Sequence, residues 1–331
     1  MDSSAAEPSR RPVRLAWLAL ALAVLAVPAV VGGYHLHLLV MAAIFGILAA
    51  SLGLVIGFAG LLSLGHTAFF GIGAYTSALL FLKLGLPMWW GLPAAGVLAA
   101  LVAALLGALI LRVRGNRFVI VTVAFAEIMR LVAHNWVGLT RGQMGLPGIL
   151  APVVPLPGGA SIDFNDKPAF YVLAVVIAAL SVVALARIAR SPVGWGLIAL
   201  RENEALGESI GVGAYRHAMI AFVVGAFFAG IAGSLYAHYV NFVGPDLFYF
   251  SYTTILLVMV VMGGLGTIAG PLIGALVFTL VPEYLRVASE YRLVFFGAIL
   301  VIGILFVPGG LVELGSRARS LLAGRRRAVR A

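Results

Sequence analysis

The sequence predicts an all-α integral membrane protein: a polytopic helical bundle of about ten transmembrane spans, with both termini cytosolic and two interrupted, glycine-rich helix regions. Three observations predict it. Hydrophobic residues make up 63% of the 331-residue chain and charged residues only 10%. The apolar runs are long and continuous, which excludes a membrane β-barrel, whose strands alternate over ~10-residue segments. Forty glycines are too many for a soluble helical core but suit close helix packing in lipid.

A span needs ~20 apolar residues, fewer where other helices bury it. The first candidate, 15–32, follows Arg10, Arg11 and Arg14. Its length, and the poor small-x-small site at Gly32-Gly33-Tyr34, favour a retained helix over a cleaved signal peptide. The next candidates are 37–59, 66–82, 91–111, 118–136, 169–188, 218–240, 252–264, 268–282 and 293–309. Arginine tests the count. Sixteen of the 22 basic residues are arginines in four clusters beside these runs: Arg10 to Arg14, Arg112 to Arg117, Arg187 to Arg216, and Arg317 to Arg330. Ten crossings put all four clusters on the cytosolic side, as the positive-inside rule requires. Merging 252–282 into one crossing would expel the last cluster, so two short spans are expected there.

The chain then divides into a cytosolic tail 1–14, a membrane domain 15–310 and an Arg-rich cytosolic tail 311–331. The domain carries a cytosolic loop at 189–217 and an external loop at 137–168. Four prolines (Pro147, Pro152, Pro155, Pro157) order the external loop, which serves either as a docking surface or as a plain connector. The terminal Gly-Arg-Arg-Arg run suits anionic lipid headgroups. A net charge of +10 would suit nucleic acid, but its confinement to span edges and the lack of basic–aromatic stretches exclude that partner. With no cysteine there is neither a disulfide nor a thiolate metal site.

Two glycine-rich interruptions sit in matching contexts. Gly57-Phe-Ala-Gly-Leu-Leu-Ser-Leu-Gly-His66 and Gly263-Gly-Leu-Gly-Thr-Ile-Ala-Gly-Pro271 each follow a span running inward and precede one running outward. Irregular backbone at membrane depth survives where it lines a cavity or is buried in protein. The candidate pathway residues are therefore Ser63, Gly65, His66, Gly71, Gly73, Tyr75, Gly263, Gly264, Gly266, Thr267 and Gly270. Tight cytosolic hairpins are the plainer alternative. His66, beside Ser63 and Thr67, is read as a hydrogen-bonding residue at a helix start. With no second ligand at metal spacing, no metal site is expected.

The third feature is a polar island, Arg201-Glu-Asn-Glu-Ala-Leu-Gly-Glu-Ser-Ile-Gly211, which holds three of the twelve acidic residues. Glu204 and Glu208 are spaced i,i+4 and Arg201 stands i,i+3 to Glu204, so one helix would carry all three on a face, with Gly211 as its stop. Such a stiff polar rod either lies solvated or docks on a cytosolic partner. Finally, Glu127, Arg130 and His134 recur at i, i+3, i+7 on the span 118–136. Charge in a bilayer is costly, so this face should turn to the bundle interior and Glu127 should pair with Arg130. Such a patch orients a zwitterionic substrate, holds helices together, or relays protons.

What is missing narrows the function. The two lysines, Lys83 and Lys167, follow no glycine, so a phosphate-binding G-x-x-x-x-G-K-[ST] loop is absent. G-x-S-x-G is absent too. No residues support an enzyme reading.

The chain resembles the permeases of branched-chain amino-acid ABC importers, LivM type. The resemblance rests on the island from Arg201 to Gly211, Ala221-Phe, and Phe228-Ala-Gly-Ile-Ala-Gly-Ser-Leu-Tyr236. It continues in Ser63-Leu-Gly-His-Thr-Ala-Phe-Phe-Gly-Ile-Gly-Ala-Tyr75, Phe125-Ala-Glu-Ile-Met-Arg-Leu-Val-Ala-His-Asn-Trp136, and Gly263 to Thr267 with Gly270-Pro271. These blocks span roughly residues 50–310. The resemblance implies a multi-pass subunit of the bacterial inner membrane that binds no cofactor itself. ATP would sit on cytosolic ABC ATPase subunits, gripped through Arg201, Glu202, Glu204, Glu208 and Gly211. A second, related permease and a periplasmic substrate-binding protein complete the implied assembly. Leu206-Gly207 departs from the small helix formers usual in that loop. Relatives carry urea, short amides or sugars, and an ion-coupled secondary transporter using Glu127 is the alternative of a different class.

Overall fold

The computed structural model describes residues 27–28, 30–112, 115–155, 161–284, 297 and 310–313. All of the expected span 293–309 but residue 297, most of 15–32 and nearly all of both tails lie outside the described residues, as do Arg114 and Pro157.

The eight remaining expected spans each coincide with an apolar helix. These are α1 (Gly33–Gly53), α2 (His66–Leu84), α3 (Met88–Ile110), α4 (Asn116–Asn135), α5 (Lys167–Ala189), α8 (Ala214–Val240), α9 (Phe250–Gly263) and α10 (Ala269–Tyr284). Two short helices, α6 (Pro192–Glu202) and α7 (Glu204–Ser209), fill the expected cytosolic loop. Among the described residues, six helices are long and apolar enough to cross a membrane, and α9 and α10 are shorter. The boundaries follow local chemistry. Pro168 sits in the first turn of α5, where its missing N–H costs nothing. Gly85 ends α2 in the left-handed region at φ 63°, which a side chain would resist.

Helix α8 is the hub, packing on α1, α2 and α3. Small residues let the backbones nearly touch, the device that membrane bundles use in place of a hydrophobic driving force. A Cβ on Gly230 would lie 2.4 Å from the Ala95 carbonyl oxygen, and one on Gly233 would lie 2.0 Å from that of Phe70. A second pair, α9 and α10, packs on α1, where Pro271 and Leu272 fill the notches at Gly53 and Gly46. Thr67 and Thr253 share a 2.8 Å hydrogen bond that ties α2 to α9. The outer surface is aliphatic: Leu98, Leu101, Leu105 and Leu109 on α3 and Leu180 and Val183 on α5 are exposed. Such a surface would aggregate in water and suits lipid contact.

The connections sort to two ends. At one end lie 59–65, α6–α7 and the α9–α10 turn, joined by contacts described below. At the other end, the expected external loop contributes three short strands to two small antiparallel pairs, the fourth strand following α8. β1 (Leu146–Pro147) pairs with β4 (Phe242–Val243), and β2 (Val153–Pro155) pairs with β3 (Ser161–Asp163). The loop is anchored on α8: His238 Nδ1 bonds the Leu150 carbonyl at 2.7 Å, and Gly148 N–H donates to the Asn241 carbonyl at 3.0 Å. Behind it, His238 Nε2 bonds Ser77 Oγ at 3.0 Å, and Ser234 Oγ donates to Ser77 Oγ at 2.8 Å. In β3, Asp163 accepts from the Asn165 backbone and side chain, which holds its carboxyl below the usual carboxylate range.

Candidate coupling site and transport pathway

Helix α1 does not end as an ordinary helix. Its last turn widens into a π-helix over Leu54–Phe58 and then runs non-helically to Gly65. Such π turns recur where function interrupts a helix. Carbonyls of Leu54, Val55 and Ile56 are taken by the N–H groups of Ala59, Leu61 and Gly60. The next carbonyl, Gly57, accepts from Arg201 Nη1 instead. The second interruption lies alongside. A Cβ on Gly57 would stand 2.7 Å from Gly266 N. Gly264 and Gly266 adopt φ 126° and 78°, and Thr267 Oγ1 donates to the Gly264 carbonyl and accepts from Gly270 N–H. The two glycine-rich segments, two hundred positions apart in the chain, thus form one joint, and the polar island closes it.

The remaining pathway candidates are scattered among packed positions. His66 is fully buried; its Nε2 meets Ser51 Oγ of α1 at 2.8 Å, so it links two helices rather than capping its own. Because Ser51 already donates to the Leu48 carbonyl, His66 must donate through Nε2 and leave Nδ1 as the acceptor. That Nδ1 has no partner among the described residues, and neither do Ser63 Oγ and the Tyr75 hydroxyl, all three buried. The ring of Tyr75 stacks on Phe248 at 6.0 Å. Gly65 sits against the Thr122 carbonyl, Gly71 against the Phe248 ring, Gly73 against Gly230, and Gly263 against Gly270.

The island itself differs from the single helix expected. Asn203 is extended at φ −156° and separates α6 from α7, accepting from Leu206 N–H as the N-cap of α7. Arg201 and Glu204 therefore lie on different helices. Arg201 pairs with its neighbour Glu202, through Nε at 3.2 Å and Nη2 at 2.5 Å. Gly207 explains the departure noted in the sequence: α7 folds back on α6, and a Cβ there would lie 2.9 Å from Leu200 Cδ2. Gly211 ends the segment at φ 87°. Glu208 is exposed, and Glu204 lines a cavity of about 350 Å³ together with Gly60, Leu62, Phe118, Arg201 and Tyr215. Sequence reasoning missed Leu206 and Ile210, 64% and 70% exposed at i,i+4 on the tip. An apolar i,i+4 pair inside a charged stretch was the available signal.

On α4, Glu127 and Arg130 pair as expected at 2.6 Å. Their position corrects the expectation of a bundle-interior face. The Glu127 side chain is 52% exposed, Arg130 lies over the Tyr249 ring at 5.7 Å, and His134 is half-buried. The interior side of α4 is occupied by Thr122, Ala126 and Ala133, small residues that pack against the bundle. Among the described residues, no group of three His, Asp or Glu is placed to hold a metal ion.

Comparison with known proteins gives a coherent result. A family model described as branched-chain amino acid transport system / permease component matches residues 34–304. The high-affinity branched-chain amino acid transport system permease protein LivM of Salmonella typhimurium is 33% identical over 329 residues, covering 94% of this chain and 77% of that protein. LivM of Escherichia coli K12 is 35% identical over 314 residues, with coverage of 89% and 74%. LivH of the same organism is 26% identical over 285 residues, with coverage of 81% and 91%. No solved structure matches the chain. By the extent of the family match and by its likeness to LivM, the chain belongs to the branched-chain amino acid transport system permease family.

Proposed function

We propose that this chain is the membrane-spanning permease subunit of an ATP-binding-cassette importer in the bacterial inner membrane, moving branched-chain or related amino acids. Its relatives are named as permeases of branched-chain amino acid transport, which supplies the substrate class. The observation that carries the reading is the coupling segment. A polar hairpin, α6–Asn203–α7, stands at one end of an aliphatic bundle with Leu206 and Ile210 at its exposed tip and Glu204 and Glu208 beside them. A cytosolic ATPase would seat the apolar pair in a cleft and ring it with charge, the pattern of a docking interface. ATP binding on that subunit would move the hairpin and, through it, the glycine-rich joint.

In this reading the hairpin end is cytosolic, the β1–β4 end is periplasmic, and ten spans with cytosolic termini satisfy the arginine clusters. The membrane domain is 15–310. The strand-paired external loop receives a substrate-binding protein. The exposed side of α4 with Glu127, Arg130 and His134 faces the translocation pathway between this subunit and a second, related permease, because a charged pair facing lipid is costly. The pathway residues along the glycine-rich segments open and close it.

Single cysteines in this cysteine-free chain test the orientation. Membrane-impermeant maleimide should label position 150 only from outside and position 205 only from inside. External labelling at 205 would overturn the coupling assignment.

A further inference from the structure

Arg201 stands where three parts of the chain meet. Its Nη1 donates to the Gly57 carbonyl, while its Nε and Nη2 hold Glu202, so one planar cation bridges the hairpin and the end of α1. That carbonyl is an orphan of the helix terminus, and a cation there also meets the negative end of the helix dipole. The stem is seated as well: a Cβ on Gly60 would lie 2.8 Å from Arg201 Cγ, which leaves glycine as the residue that lets the stem pass. The second interruption lies beside the same group, since a Cβ added to Gly266 would stand 3.5 Å from Nη1. A cavity of about 350 Å³ opens beside the joint, so the assembly has room to shift as a unit.

From this geometry we propose that Arg201 is the positioning residue that transmits motion of the coupling hairpin to both glycine-rich segments, rather than a contact to the ATPase. Resting on the importer reading above, it divides the polar island by role. Leu206, Ile210 and the glutamates of α7 meet the ATPase; Arg201, oriented by Glu202, holds the permease core. A hairpin that moves takes Arg201 with it. The Gly57 carbonyl must follow or lose its donor, and Gly266 moves with Gly57 because their backbones are in contact. Guanidinium geometry matters here, since three separate nitrogens reach Gly57 and Glu202 at once, whereas lysine offers a single flexible point charge in place of the planar fork.

The test uses the complete transporter in proteoliposomes with Arg201→Ala and Arg201→Lys, reading uptake, ATP hydrolysis and the amount of ATPase that co-purifies. Arg201→Ala should keep wild-type ATPase stoichiometry while uptake per ATP falls roughly ten-fold, the loss expected for a hydrogen bond from a charged donor. Arg201→Lys should fall between Arg201→Ala and wild type. Spin labels at position 62 and at position 195, exposed on α6 away from the docking tip, give the second readout. In the wild type their separation should change in one concerted step on ATP binding, and in Arg201→Ala the distribution should broaden without that step. Unchanged uptake per ATP in Arg201→Ala overturns the proposal, and so does loss of ATPase from the complex, which would make Arg201 a docking contact. Should Arg201→Ala fail to fold, Arg201→Lys with wild-type uptake per ATP and wild-type distances overturns it equally. Failure of the importer reading has a separate signature: no ATPase would co-purify with the unaltered chain.

Discussion

Gly73→Ala separates packing from pathway at the α2–α8 crossing. Its added Cβ would stand 2.3 Å from the Gly230 carbonyl oxygen and 2.4 Å from Gly230 Cα, against an ordinary contact distance of 3.4 Å or more. Relief needs the helices to part by about 1 Å (3.4 less 2.3), and backbone rather than a flexible side chain must give. Overpacking of this kind costs ~1–3 kcal/mol. Alanine recovers up to ~1 kcal/mol of helix propensity. With backbone against backbone the upper part of that range applies, ~2–3 kcal/mol, so the net expectation is a loss of ~1–2 kcal/mol, a factor of about 5–30 in the folded to unfolded ratio. Gly138→Ala is the control, since nothing lies within 4 Å of its Cβ position. Unfolding in detergent micelles, followed by tryptophan fluorescence against denaturant, reads both. A Gly73→Ala subunit as stable as the control, yet with abolished uptake, would refute the packing argument and make Gly73 a pathway residue.

Two further substitutions address the other sites. Glu204→Lys and Leu206→Asp alter the coupling hairpin outside the bundle, so insertion and folded yield should stay at wild-type level while ATPase co-purification and uptake drop sharply; wild-type uptake in both would leave a merely solvated loop. Glu127→Gln and Arg130→Gln should also leave folded yield unchanged, because the pair sits on the exposed side of α4, while uptake falls in each; loss of folded protein would return the pair to the bundle interior.

Helix positions were legible because a bilayer demands long apolar runs, and prolines and glycines punctuate them. Splitting 252–282 came from arginine bookkeeping, and the break at Gly264 and Gly266, both at positive φ, falls between α9 and α10. Side-chain direction was less legible. Periodicity placed Glu127, Arg130 and His134 on one face but carried no information about which neighbour that face meets, and the cost of buried charge pointed inward when the face is open on the single chain. Spacing predicts one helix for the island because it cannot show that Asn203 caps a new one, which places Arg201 and Glu204 on different helices. Gly207 looked like a flaw in a helix until its contact with Leu200 made it a packing residue. Pairing of β1 with β4 joins segments nearly a hundred residues apart, a contact that no local pattern announces.

Uptake by the reconstituted assembly decides whether this chain works as an ATP-driven permease subunit. Proteoliposomes would hold this chain, a related permease and the cytosolic ATPase subunits, with the substrate-binding protein outside and ATP at the ATPase face. An ABC permease subunit should give accumulation of leucine, isoleucine or valine that requires both ATP and the binding protein, and no accumulation by this chain alone. Accumulation by the chain alone, driven by a proton or sodium gradient and indifferent to ATP, would contradict it.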